Sequence, residues 1–356
     1  MLNIVLDNLE TANVWSVPKI RPNQNYIIRR FPTFFCCADI SIHNSVDNLD
    51  SFIYPVLMLE PYIQARALIE YYSLFGFWAY VPDNVIQGLR EKRGWIIIDL
   101  YGEPISQNDF RNILTSLSDS SDYPNDRILI NTVVTQFADY KRVFNFPSFL
   151  EMGCYVNHIQ SSPSPCPCNP HNRRDLIYPH KRFLLLNNRI DYHAANLLAK
   201  YASEYADSFL DSSSSVRGEK SLRLPQALYA TDFNIVPEAY VNFDVIDYPF
   251  ITEKTFRNIK YKKPFIVMGQ PNTLSSFHKL GYRTFSPLID ESYDTIGDTN
   301  KRFKKLLFEI DRLRKMSKAE FANLLQQCQP IVEHNYNNLI RRMKQTNTWL
   351  EGLKKV

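Results

Sequence analysis

Apolar positions along this chain follow two periods. Near the start, Tyr26–Arg29 and Phe34–Ile42 read as strands, and a helix is expected to open at Pro61, because proline is tolerated in a first turn. Its apolar positions Ile63, Ala67, Tyr71 and Leu74 fall on one helical face. Gly94-Trp-Ile-Ile-Ile-Asp99 is a short continuous apolar run that ends in an acid, the pattern of a parallel strand buried on both faces and delivering a loop at its carboxyl end. A helix over Gln107–Leu117 and a strand over Arg127–Thr132 follow. The alternation stops where five prolines (Pro163, Pro165, Pro167, Pro170 and Pro179) exclude regular helix or a central strand.

Beyond the prolines the alternation resumes. Arg182–Leu186 is predicted to be a strand, Asn187–Arg189 a polar turn, about Asp191–Tyr205 a helix, and Asp211–Gly218 a serine-rich loop. Next come a strand over Phe233–Val236, a helix opening at Thr252, a strand over Pro264–Met268, a helix over Thr273–Leu280 and a strand over Arg283–Phe285. Lys301–Lys315 and Lys318–Lys344 read as amphipathic helices with basic outer faces. The fold class expected is α/β: two Rossmann-like domains facing a cleft, residues 1–175 and 181–335. Residues 336–356 are expected to form a terminal helix that packs back on the first domain.

Length supports this division, since 356 residues exceed one ordinary core. A net charge of +4 gives no argument for a nucleic-acid partner, but leaves room for a locally basic cleft. No stretch is apolar enough for a transmembrane segment, and the start, Met1–Asp7, lacks the layout of a secretory signal. Six cysteines in this length predict a reducing, cytoplasmic setting. Cys154, His158, Cys166, Cys168 and His171 have zinc-binding chemistry, yet their spacing matches no common zinc module. A plain hinge loop is the expected reading, with no metal site. The run Asp290-Glu-Ser-Tyr-Asp294 invites comparison with a metal-holding Asp-x-Asp, but its place beyond Phe285 favours a structural or cleft-rim role.

Candidate chemistry lies where a strand, a polar turn and a helix start meet, around Leu184–Arg189 and Phe250–Thr252. Each places helix N-terminal amides beside a cation, Arg189 or Lys254, a pairing suited to a diphosphate. Glu253 can accept hydrogen bonds from ribose hydroxyls. The bland alternative is that Thr252 is an N-cap and Glu253 and Lys254 are solvated first-turn residues.

Three segments, Asp232-Phe-Asn-Ile-Val-Pro-Glu238, Tyr248-Pro-Phe-Ile-Thr-Glu-Lys254 and Pro264-Phe-Ile-Val-Met-Gly269, together resemble the donor-binding core of the α1,3-fucosyltransferases. Phe183-Leu-Leu-Leu-Asn-Asn188 is similar to that family's strand before its Ser-Asn turn, and Ser212-Ser-Ser-Ser-Val-Arg217 to its Gly-Gly-Ser-Val-Arg loop. The resemblance spans about residues 182–290. The segment from Gly281 to Asp294 also looks similar to phage and large-virus proteins grouped with glycosyltransferases, which would place the chain in a host cytoplasm.

The resemblance implies a GT-B-type enzyme that transfers a sugar, fucose among the candidates, from a nucleoside diphosphate to a hydroxyl acceptor such as a glycan, with inversion. GDP is favoured over UDP. Glu253 would hold the ribose and Lys254 a phosphate, with Asn187, Arg217, Glu238, Phe250 and Thr252 completing the nucleotide-sugar site. His193 stands where the family has a phosphate-binding arginine, and Arg189 is the nearby cation that could replace it. Pro237-Glu238-Ala239 stands for Phe-Glu-Asn, and Phe250 for a tyrosine. Tyr101-Gly-Glu103 resembles a Tyr-Thr-Gly-Glu-Asn segment, making Glu103 the general base, with Asp99 as substitute. The alternative for Glu103 is a turn residue before Pro104. Protein cations would do a metal's work, so no cofactor is required beyond the donor. The departures at His193, Ala239 and Phe250 also fit a nucleotide-sugar-binding or virion-associated structural protein without turnover.

Overall fold

A computed structural model describes residues 2–5, 40–57, 81–99, 111, 115, 123–132, 143–145, 181–186, 208–211, 230–244 and 246–353. The chain divides into two compact units, one of residues 1–156 with 342–356, the other of residues 157–341. Both are mixed α/β with all-parallel sheets.

The first unit holds a six-stranded sheet formed by β1 (Leu2–Val5), β2 (Ile40–His43), β3 (Phe52–Leu57), β4 (Gly94–Asp99), β5 (Ile128–Thr132) and β6 (Val143–Asn145), in the order β2-β1-β3-β4-β5-β6. Residues Ile96 and Ile97 of β4 are both buried, as the continuous apolar run requires of a strand covered on two faces. Helix α1 (Asp83–Arg90) buries Val85, Ile86 and Leu89 at helical spacing. Gly94 opens β4 against the Phe52 ring, where a Cβ would lie 2.3 Å from ring carbon. Arg127, expected to begin the strand, ends a 3₁₀ turn over Asn125–Arg127 instead, and its guanidinium lies 4.8 Å from the Trp95 ring centre. Residues 111 and 115 are helical, within the expected helix. The strand expected over Tyr26–Arg29 and the helix from Pro61 lie outside the described residues, as does Phe34–Asp39.

The second unit holds a four-stranded sheet of β7 (Lys181–Leu186), β8 (Ser208–Asp211), β9 (Thr231–Pro237) and β10 (Phe265–Met268), ordered β10-β9-β7-β8. From β7 the chain goes to β8 on one side and then to β9 on the other, so the strand order reverses between β7 and β9. That reversal opens a crevice at the carboxyl ends of the strands. β9 is buried along nearly its whole length and β10 throughout. Helices α2 (Glu253–Lys260), α3 (Thr273–Lys279), α4 (Thr299–Lys315) and α5 (Lys318–Leu353) follow. The core stacks Phe277 on Tyr282 at 4.6 Å and sets Phe265 edge-on to Phe285 at 5.2 Å.

Three sequence expectations change here. Arg283–Phe285 is not a strand: the Asn335 side chain accepts from the Arg283 N–H and donates to its carbonyl, both at 2.8 Å, which uses up the groups a ladder would need. Asp211 closes β8, paired with Leu186, and does not begin a loop. The last helix, expected over Lys318–Lys344, runs unbroken through Pro330 to Leu353.

Candidate functional site

The best-defined site in the second unit is built around the end of β9. The chain leaves Pro237, passes through residues 238–252 and enters α2. Glu238 is 1% exposed. Its N–H donates to the Met268 carbonyl at 2.8 Å, fixing it to the end of β10. Its carboxylate accepts from the Thr252 N–H at 3.2 Å, from the Thr252 hydroxyl, and from the Thr255 hydroxyl at 2.5 Å. Thr252 is the N-cap in extended backbone, and its Oγ1 accepts from the Lys254 N–H at 3.3 Å.

The rest of the 238–252 segment is tied down by two buried side chains. Gln270 accepts from the Phe250 N–H at 2.9 Å and donates to the carbonyls of Asn242 and Ile246 at 2.9 and 3.2 Å. Arg302 of α4, 1% exposed, donates to the carbonyls of Val241, Ile296 and Gly297. Desolvation lowers its pKa, and the charges of Asp294 and Asp298 oppose that. Gly269 lets α3 start close behind β10: a Cβ there would lie 2.6 Å from Thr273 Oγ1.

On one side of this framework is a small cleft open to solvent. Leu184 of β7, Asn234–Pro237 of β9, and Lys254, Arg257 and Asn258 of α2 line it. These residues lie on the two strands between which the order reverses. Lys254 and Arg257 are three residues apart and therefore neighbours on one helix face. Both are partly exposed. Beside them Asn234 donates to the Asn258 side chain, which in turn donates to the Lys254 carbonyl at 2.8 Å. This buried amide pair holds the cation-bearing face of α2 against β9. Chemically, the cleft offers two cations, amide groups and an apolar wall.

Of the residues expected at the nucleotide sugar, the structure brings Glu238, Phe250, Thr252 and Lys254 together, with the backbone of Glu253 opening α2. Their arrangement revises the anion cradle expected at this helix start. The amides of Thr252, Lys254 and Thr255 already donate to Glu238, Thr252 Oγ1 and the Thr252 carbonyl. The Glu238 carboxylate faces those donors. Phe250 is 5% exposed and packs edge-on to Tyr240 at 6.0 Å. The charge for an anion therefore comes from the Lys254 and Arg257 side chains. Arg257 was missed in the sequence, although its spacing from Lys254 is a signal that could have found it.

The side chains of Asp99 and Glu253 lie outside the described residues, and so do Glu103, Asn187, Arg189, His193 and Arg217. Asp99 closes β4, at the carboxyl end of the first sheet. The Cys154–His171 cluster is likewise outside; among the described residues no group of three or more His, Cys, Asp or Glu is placed to hold a metal. Asp294 caps α3, accepting the Leu274 N–H through both oxygens at 3.1 Å. Asp290 accepts from Ser292 and pairs with Lys305 at 3.4 Å. No helix among the described residues is long and apolar enough to cross a membrane.

Fold and site thus define an α/β protein with two parallel sheets, the second carrying a basic cleft where its strand order reverses. No protein-family model and no curated protein matches the chain. Among solved structures, the chain is similar to "Crystal Structure of alpha1,3-Fucosyltransferase", with a TM-score of 0.43 and 11% identity over 98% of this chain and 90% of that one. It is also similar to "Crystal Structure of alpha1,3-Fucosyltransferase with GDP-fucose", with a TM-score of 0.35 and 10% identity over 97% and 90%. Overlap of this degree is too low to assign the site, which stands on its own geometry.

Proposed function

We propose that this chain is a glycosyltransferase that takes a sugar from a nucleoside diphosphate donor, and that the cleft between β7, β9 and α2 receives the diphosphate. The observation that carries the reading is the joint placement of Lys254 and Arg257 in that cleft, at the strand-order reversal where open parallel sheets take ligands. A diphosphate leaving group gains negative charge as the sugar departs, and cations fixed beside it stabilise the transition state more than the ground state. Thr252 and Glu238 hold α2 in position for this. The resemblance of the Thr252-Glu253-Lys254 segment to the fucosyltransferase donor core supports the same class, with Glu253 on the ribose and GDP favoured over UDP.

In this reading the acceptor hydroxyl gives its proton to the Glu103 carboxylate, with Asp99 as the substitute. The oxygen attacks the anomeric carbon as the carbon–oxygen bond to the diphosphate breaks. The bonding pair leaves with the nucleoside diphosphate, and the configuration inverts. Arg189 and His193 would add to the charge neutralisation. In this reading protein cations carry the charge requirement, and the sugar acceptor is a hydroxyl compound.

The test is calorimetry of GDP, UDP and the corresponding free nucleosides on Lys254→Ala and Arg257→Ala. A charge-assisted hydrogen bond is worth about 1.5–3 kcal/mol, so each variant should weaken diphosphate binding about 10- to 150-fold and leave free nucleoside nearly unchanged. Diphosphate binding equal to the parent in both variants overturns the assignment. The occupied α2 amides and the inward Phe250 favour a second reading, a nucleotide-sugar binder without turnover. Tight diphosphate binding with no transfer to any glycan acceptor selects it.

A further inference from the structure

We infer that the outer face of α4 is a docking surface for an anionic lipid bilayer. The inference is independent of the chemistry assigned to the cleft. α4 spends its inner face on the core: Phe303, Leu306, Ile310 and Leu313 are buried, together with Arg302 and Glu309. Its outer face carries Lys301, Lys304, Phe308 and Lys315, spaced so that they form one stripe along the helix. Phe308 is 74% exposed, the most exposed large apolar side chain among the described residues.

A lone exposed phenylalanine is common; its setting is what points to a partner. Residues 298–315 carry seven cations (Lys301, Arg302, Lys304, Lys305, Arg312, Arg314, Lys315) and three acids (Asp298, Glu309, Asp311); of these Arg302 and Glu309 are buried, and Lys305 pairs with Asp290 at 3.4 Å. The acids are committed locally: Asp298 caps the helix by accepting from the Lys301 N–H, Glu309 pairs with Arg312, and Asp311 with Arg314 and Lys315. Lys301 and Lys304 make no ion pair among the described residues. They stand seven and four positions before Phe308, with their charges directed to solvent.

A phenyl ring standing out of a cationic stripe matches the interface of an acidic bilayer. The ring enters the acyl boundary while the ammonium groups stay among the headgroup phosphates. Each lysine close to an anionic leaflet strengthens binding about fivefold at physiological salt. An acidic protein surface would need an apolar pocket placed to match the ring, whereas an anionic bilayer supplies both environments along its whole surface, so the bilayer is the partner chosen.

The experiment is sedimentation of the full chain with vesicles of phosphatidylcholine alone or with 30% phosphatidylglycerol, at roughly 0.15 M salt. The parent should bind the anionic vesicles and not the neutral ones. Phe308→Ala should weaken partitioning about tenfold and Lys301→Gln/Lys304→Gln about 25-fold, while Phe243→Ala, at the other exposed phenylalanine (43%), should have no effect. All four positions are exposed, and unchanged melting curves show that the variants fold. Absent binding, equal binding to neutral vesicles, or variants that partition like the parent overturn the inference. Lysine-dependent binding indifferent to Phe308 would mark a general polyanion surface and also overturn it. So would Phe308-dependent self-association without vesicle binding, which would assign the face to a second copy of the chain.

Discussion

Removing the Glu238 carboxylate separates two roles that its position in the sequence leaves open: a ligand of the nucleotide sugar, or a brace behind the helix that carries Lys254. Glu238→Ala strands three donors, the Thr252 N–H and the hydroxyls of Thr252 and Thr255. An orphaned buried donor costs about 1–3 kcal/mol. The hydroxyls can rotate toward helix carbonyls, and the three donors share one acceptor, so the losses do not add. Relief from burying a carboxylate at 1% exposure offsets part of the rest. A net loss of about 3 kcal/mol follows, which for a unit of this size lowers the melting temperature by roughly 6–12 °C. Glu238→Gln keeps the shape and one acceptor oxygen, and should lose about half as much. It also removes a negative charge behind the α2 N-terminus, so diphosphate affinity should hold or rise in this variant. Differential scanning calorimetry with and without GDP reads both quantities. Parent-like melting combined with tenfold weaker diphosphate binding in Glu238→Gln would refute the brace and return the carboxylate to the ligand.

Three further outcomes are expected. Burial raises the pKa of Glu291 above its ordinary 4.5, against the hydrogen bonds from Thr284, Phe285 and Ser286 that favour the charged form. Its protonated form is therefore the one folding favours, and its contribution is full below the ordinary value and lost as pH rises through the raised one. The stability gap between parent and Glu291→Gln should accordingly narrow from pH 4 to pH 8 in urea titrations; a gap independent of pH contradicts this. Cys328 is fully buried and its thiol is pushed up to about 12, by burial first and the Glu291 charge second. Iodoacetamide at pH 8 should leave it unmodified in the native protein and label it in denaturant, as mass mapping would report. Asn258→Ala removes the amide that joins β9 to the Lys254 carbonyl and should destabilise the second unit by about 1–3 kcal/mol; an unchanged denaturation midpoint contradicts the bracing role assigned to it.

Much of the second unit, and β4 of the first, was legible because the signals are local. Parallel strands buried on both faces write themselves as apolar runs, which is why β4, β7, β9 and β10 fall within a residue or two of expectation. Thr252 announces a helix start because a hydroxyl at an N-cap satisfies its own neighbours' amides. Short strands such as β1 and β3 were missed, since four to six residues, interrupted by Asn3 in one and Pro55 in the other, carry no period that separates them from a helix segment. Arg283–Phe285 misled for the reverse reason: it has strand chemistry, but a side chain from a helix 52 residues away occupies its backbone.

The sequence by itself determined the α/β class and the helix start that carries Lys254, because both follow from the period and capping chemistry of neighbouring residues. Tertiary structure decided the rest. It set the strand order β10-β9-β7-β8, which puts a reversal beside that helix, and drew Asn234, Arg257 and Asn258 into one cleft. It also turned the Glu238 carboxylate inward onto Thr252 and Thr255. A carboxylate in a motif can face a ligand or a cap, and only the donors that reach it in the folded chain choose between them.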